Sequence, residues 1–179
     1  MTLPTPRPAT PDDVPAIGRL IAASARGLCA ADYTPAQVEA ALGTAWGCDT
    51  ELVSDGTYYV CEVGGELVAC GGWGKRRTLF GADARPGRES ELLDPARDAA
   101  RIRAFFVHPD WARRGLGRLL LTRCESAARE SGFRAAELMA TLTGEKLYRQ
   151  CGYVAGDAVE YPVGNGQVVR FIPMRKSLV

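Results

Sequence analysis

Residues 101–117 read Arg101-Ile102-Arg103-Ala104-Phe105-Phe106-Val107-His108-Pro109-Asp110-Trp111-Ala112-Arg113-Arg114-Gly115-Leu116-Gly117. The first seven predict a strand, which Pro109 stops. A helix follows from about 115 to 131, with Leu116, Leu119, Leu120, Cys124, Ala127 and Ala128 on one face and Gly132 as its terminator. A strand feeding a glycine-rich turn that opens a helix exposes backbone N–H groups at the positive end of the helix dipole, where phosphate binds. Gly115 and Gly117 let an anion approach the backbone, and Arg113, Arg114 and Arg118 add charge-assisted hydrogen bonds. The turn lacks the Walker A pattern. It also departs from the dinucleotide fingerprint, because Leu120 stands where the third glycine belongs. Taken alone, it is equally a tight strand-to-helix connection.

Upstream of this stretch, Thr10-Pro11-Asp12-Asp13 has the pattern of a helix start. Val14, Ile17, Leu20 and Ile21 then give an amphipathic helix ending near Gly27. Thr34-Pro35-Ala36-Gln37 repeats the logic for a short helix to about Leu42. From Thr57 the period changes to that of strands. Residues 57–63 and 66–73 form a hairpin about Gly64-Gly65. Residues 81–99 are polar and punctuated by Gly81, Pro86, Gly87 and Pro95, which predicts a long loop with a helical turn at 89–93. Downstream, 135–140 is a strand and 146–150 a short helix ending at Gly152. Strands 159–163 and 168–174 flank the turn Gly164-Asn165-Gly166. This order predicts one mixed α/β domain over 1–179.

Composition narrows the classes. The 179 residues suit one domain able to bury roughly two-thirds of its unfolded surface. Hydrophobic residues are 46% and charged residues 24%, an ordinary globular mixture. No run of 18 apolar residues predicts a membrane span, and the Pro-rich opening over 2–8, an extended lead-in, lacks the apolar stretch of a signal peptide. Net charge is +1, far from the basic excess of a nucleic-acid binder. The six cysteines, 29, 48, 61, 70, 124 and 151, show no CxxC spacing. They read as reduced thiols in a cytoplasmic protein without a metal site.

A second candidate lies about 30 residues beyond the turn: Leu147-Tyr148-Arg149-Gln150-Cys151-Gly152-Tyr153. A tyrosine on a short helix can aim its phenol into a cleft and protonate a leaving group, or simply pack in the core. The two stretches together resemble the GNAT superfamily of acetyl-CoA-dependent N-acetyltransferases. Val107-His108-Pro109 with Arg114-Gly115-Leu116-Gly117 and Leu119-Leu120 resembles that family's acetyl-CoA motif. Residues 147–153 resemble its F-Y-x-x-x-G-F motif, and 7–13 its usual opening.

The resemblance implies a mostly antiparallel sheet flanked by helices and splayed between the strands near Val107 and Leu138. It implies acetyl-CoA as co-substrate, no metal, and an amine acceptor attacking the thioester directly. Phe106 and Val107 would pair with the pantetheine arm through their backbone. Arg113, Arg114, Gly115, Leu116, Gly117 and Arg118 would hold the pyrophosphate, and Tyr148 would protonate the departing thiolate. Two positions depart from the family pattern. Ala112 stands where Gln or Arg is usual, with Arg113 able to take over part of that role, and Thr141 stands where Asn is frequent, its hydroxyl replacing one hydrogen bond to the cofactor. No general base is assigned: His108 reads as a turn residue, Glu62, Asp98 and Glu137 are unranked alternatives, and a water chain or an acceptor that binds as the free amine serves equally. Arg103 and the stretch Trp73-Gly74-Lys75-Arg76-Arg77 can line an acceptor cleft for a carboxylate or phosphate, or form a solvated basic strand end. A non-catalytic acyl-CoA-binding module is the competing class. The fold commonly forms homodimers, with the tail strands as a candidate interface, and neither nucleic acid nor membrane is an expected partner.

Overall fold

The computed structural model describes residues 3–179; Met1 and Thr2, which the predicted lead-in and the signal-peptide reading include, lie outside the described residues. In chain order the elements are β1 (Arg7–Pro8), α1 (Val14–Leu28), α2 (Pro35–Ala41), α3 (Thr50–Ser54), β2 (Tyr58–Val63), β3 (Glu66–Gly74), β4 (Ala100–Val107), α4 (Leu116–Glu130), β5 (Ala135–Thr141), α5 (Glu145–Gln150), β6 (Val154–Ala155), β7 (Val159–Gly164) and β8 (Gln167–Ser177). They form one sheet in the order β1-β2-β3-β4-β5-β8-β6, with β7 paired to β8. Among the described strands only the β4–β5 pair is parallel.

Alternation along β2 assigns its residues to opposite faces. Tyr58 and Val60 pack with Ile17, Leu20 and Ile21 of α1. Tyr59 and Cys61 pack with Leu116, Leu120, Leu121 and Cys124 of α4. The stretch Pro11–Ala31 is long and apolar enough, by length and composition, to cross a membrane, but its apolar stripe at Ile17, Leu20, Ile21 and Ala25 is buried against the sheet. A third cluster joins α2 and Trp46 to Val163, Val169 and Phe171 of the β7–β8 hairpin.

The local start signals act as read. Thr10 N–H donates to Asp13 Oδ2 at 2.8 Å. Gln37 N–H donates to Thr34 Oγ1 at 3.2 Å while Thr34 N–H donates to Gln37 Oε1 at 2.9 Å. The first turn before α1 is 3-10, over Pro11–Asp13. Several features differ from the sequence reading, among them the two-residue strands β1 and β6, which it did not name. Helix α3, capped by Asp49, which accepts from Leu52 N–H, fills the stretch between α2 and β2. Residues 89–93 make no helical turn. They run extended beside 75–78, with Arg77 N–H to Glu91 O at 2.9 Å, Thr78 N–H to Glu89 O at 3.0 Å and Leu93 N–H to Lys75 O at 2.9 Å. The strand-like partner was already there in the end of the hairpin, and backbone pairing across it outcompetes an isolated turn.

Candidate active site

β4 and β5 pair only at Ala100–Ala136 and Arg101–Glu137. Glu137 is held at that closed end by Arg101 and Arg175. Past it the strands part around a cavity of about 610 Å³. Along β4 the lining runs from Arg103 through Ala104, Phe105, Phe106 and Val107 to the turn at Trp111–Arg118, with Thr141, Lys146 and Tyr148 facing them from the β5–α5 side.

The β4 backbone is shaped for this gap. Ala104 has φ 54, and the β3–β4 register slips between Cys70 and Gly72. The kink turns the Ala104 carbonyl toward Tyr58, whose hydroxyl donates to it at 3.0 Å. Beyond the bulge, His108 N–H donates to Val68 O at 2.9 Å, so Val107 and Ala69 form a non-hydrogen-bonded pair. The Val107 N–H therefore points away from β3, and Ser24 Oγ of α1 accepts it at 3.3 Å. By the same alternation the Phe106 amide belongs to β3. This corrects the expected backbone role of Phe106, which reaches the cavity wall with its ring while Val107 presents the amide.

At the turn, Arg113 has φ 64 and Gly115 φ 91, so the chain curls before α4 begins. Leu119 N–H closes the first helical bond, to Gly115 O at 3.0 Å, leaving the N–H groups of the first turn unsatisfied within the helix. Arg113 and Arg118 are exposed, with no ion-pair partner among the described residues. Arg114 stacks over the Trp111 ring at 4.8 Å. The amides left over at the helix start, the exposed guanidinium groups of Arg113 and Arg118 and a groove leading inward make an anion-binding surface. His108 is a turn residue here, its Nδ1 accepting from Asp110 N–H at 3.2 Å.

Tyr148 on α5 is 9% exposed, its ring set edge-on between Phe105 (6.3 Å) and Tyr153 (5.8 Å). Burial pushes its phenol well above the ordinary value, so it stays protonated. Gly144 makes room for the ring: a Cβ there would sit 3.3 Å from Tyr148 Cε2. Thr141 lines the cavity, and its Oγ1 accepts from Gly144 N–H at 3.0 Å, which anchors the turn into α5 and leaves its own hydroxyl proton to donate. Tyr33, not singled out from sequence, fixes the end of β5. Its hydroxyl accepts from Leu142 N–H at 2.9 Å and donates to Arg170 O at 2.7 Å, and burial pushes its pKa up to about 12.

At the far end the wall is Trp46, Phe80, Met139, Phe171 and Arg103. Arg103 alone of the predicted basic group reaches the cavity. Arg76 pairs with Asp55 at 2.8 Å and holds its carboxyl below the usual range, and Lys75 adds to that field. Arg77 pairs with Glu91 at 2.6 Å, and Trp73 is buried edge-on to Phe133. Glu62 is paired with Arg7, and Asp98 accepts from Asp94 N–H. Among the described residues lining the cavity there is no Asp, Glu or His. Ser24, Trp46, Phe80 and Lys146 were not found from sequence. Only Lys146, two residues before Tyr148, carried a signal there. All six cysteines are free, and among the described residues no group of potential metal ligands occurs.

Residues 27–153 match the family model described as the acetyltransferase (GNAT) family. Comparison with curated proteins gives no match. Among solved structures, a GCN5-related N-acetyltransferase from Rhodopseudomonas palustris is 24% identical with a TM-score of 0.74, covering 99% of this chain and 97% of that one. The PaiA N-acetyltransferase of Thermoplasma acidophilum, in complex with coenzyme A, is 14% identical with a TM-score of 0.66, covering 99% of each chain. The yncA protein of Salmonella typhimurium, with acetyl-CoA, is 18% identical with a TM-score of 0.63, covering 99% of this chain and 95% of that one. At these identities the likeness is one of fold: an open, mostly antiparallel sheet flanked by helices.

Proposed function

The chain belongs to the GNAT acetyltransferase family, and on that premise we propose that it transfers an acetyl group from acetyl-CoA to a primary amine of a small molecule or peptide by direct attack. The carrying observation is that one cavity joins the amide-rich start of α4, the Val107 amide and the Tyr148 phenol. Two fold relatives hold coenzyme A or acetyl-CoA, which supports the choice of co-substrate.

In this reading the amides of the turn, with Arg113, Arg114 and Arg118, bind the pyrophosphate. Val107 N–H exchanges the Ser24 hydroxyl for the pantetheine arm, as an added strand would pair. Acetyl-CoA supplies the activated acyl group. The amine nitrogen bonds to the carbonyl carbon, the carbon–sulfur bond breaks, and its electron pair leaves with sulfur. A backbone N–H beyond the Ala104 bulge stabilises the charge that develops on oxygen. Tyr148 gives its proton to the sulfur, the excess proton on nitrogen leaves to water, and water restores the phenol. With no acid or imidazole in the lining, the acceptor enters as the free amine. Six free thiols accord with a cytoplasmic protein. A homodimer through the β7–β8 hairpin, which exposes Val159 and Val168, belongs to the same reading.

The test is calorimetric titration with acetyl-CoA, followed by coenzyme A release across an amine panel. Binding with release for one amine class is expected, and a Tyr148→Phe variant should lose about 10²–10⁴-fold in turnover. The lining, without acid or imidazole among its described residues, favours one second reading, a module that holds acyl-CoA without turnover. Binding without release for any amine would select it, and absence of binding would remove both.

A further inference from the structure

Two residues that line the acceptor end of the cavity carry buried donors without partners. Arg103 is 3% exposed and lines the cavity; its Nη2 engages Asp49 and Gly81 O, while Nε and Nη1 have no hydrogen-bond partner. Trp46 is also 3% exposed and lines the cavity, and its indole Nε1–H has no partner. A buried donor left unmatched is costly, and most native ones are satisfied.

Asp49 does not need Arg103 for its own neutralisation. Arg88 reaches both its oxygens, at 3.0 and 3.5 Å, and Leu52 N–H adds a contact at 3.4 Å. Arg88 in turn has Glu51 at 3.5 Å. Burial lowers the Arg103 pKa from its ordinary value, so the guanidinium gains from any further anionic oxygen. The rest of this end is apolar: Phe80, Phe106, Met139 and Phe171.

We propose that the acceptor is a small amine bearing a carboxylate, whose oxygens are held by the free N–H groups of Arg103 and by the Trp46 indole. This rests on the acetyltransferase reading of the cavity. Arg103 stands two residues before Phe105 on β4, with the kinked Ala104 between them. That proximity to the bulge suits a short amino acid, and among the described lining residues no carboxylate is present to hold an ammonium. A phosphonate would meet the same donors, so the panel includes one.

The test uses α-, β- and γ-amino acids, each beside its amide, and one aminoalkylphosphonate. Each is titrated calorimetrically into the coenzyme A-loaded protein and assayed separately for coenzyme A release from acetyl-CoA. At least one acid is expected to bind about 10- to 100-fold more tightly than its amide, the ratio of a charge-assisted hydrogen bond. Trp46→Phe keeps an aromatic ring and removes the N–H; it should weaken the acid more than the amide and so shrink that ratio. Arg103→Lys, which keeps a cation beside Asp49, should shrink it too. Equal binding of acid and amide, no binding of either, or a ratio unmoved by both variants overturns the proposal. A phosphonate preferred over every acid moves the anion from carboxylate to phosphate and overturns the carboxylate assignment. Release with neutral amines alone overturns it while the enzyme reading stands. Selective acid binding without release supports the anion site and removes the enzyme reading.

Discussion

The hydroxyl of Tyr58 in β2 donates to the carbonyl of Ala104 in β4 across 3.0 Å, and Ala104 is the β4 residue with φ 54. The bond pins a bulge that costs roughly 1–2 kcal/mol in a left-handed conformation. Tyr58 is wholly buried. Tyr58→Phe keeps the ring and leaves the carbonyl only the Cys70 thiol at 4.0 Å, so urea denaturation should show a loss of about 1–3 kcal/mol. Because the bulge aims the amides of the gap, kcat should fall more than acetyl-CoA affinity. Unchanged stability and turnover would mean that the bulge is held by other contacts.

Gly117 and Leu147 tie the glycine turn to the tyrosine helix. A Cβ on Gly117 would lie 2.8 Å from Leu147 Cδ2, the tip of a flexible side chain. Gly117→Ala should therefore fold normally, with the gain in helix propensity of up to about 1 kcal/mol offsetting the crowding. It should weaken acetyl-CoA binding about 10-fold by pushing α5 outward. Adding Leu147→Ala should recover most of that affinity, a coupling that a double-mutant cycle reads directly.

Arg113 sits at φ 64 with its side chain exposed. Arg113→Gly relieves the left-handed strain while loosening the unfolded chain, so stability should change by less than about 1 kcal/mol. Coenzyme A affinity should drop several-fold, and its dependence on salt should flatten. Calorimetry at two ionic strengths checks both.

The pH profile follows from the lining. Burial raises the Tyr148 pKa, so the phenol keeps its proton beyond the ordinary tyrosine range and should produce no falling limb below about pH 10. Among the described residues no carboxylate or imidazole lines the cavity, so the rising limb of kcat/KM should follow the acceptor's own amine. Two acceptors whose amine pKa values differ by about one unit should have rising limbs offset by about one unit. Superimposable limbs near pH 6–7 would point instead to a protein base.

Local chemistry was legible in the sequence. Thr10 with Asp13, Thr34 with Gln37, Gly115 before α4 and Gly132 after it act over a few residues, and each determines a start, a turn or an end without help from distant chain. The glycine turn and the 147–153 stretch, and hence the family, are runs of that kind. Three features needed the tertiary structure: the bond from Val107 N–H to Ser24, 83 residues away; the Tyr58–Ala104 clamp, 46 residues apart; and the division of the basic residues, Arg76 and Arg77 going to Asp55 and Glu91 while Arg103 turns into the cavity. The Phe106 and Val107 roles belong here too, because a strand alternates its amides and the bulge at Ala104 decides which one faces the gap. Propensity and capping depend on neighbours in sequence, so sequence alone determined them. Which charge is neutralised and which amide is left over depend on strand register and on what packs across the sheet, and only the folded chain decides that.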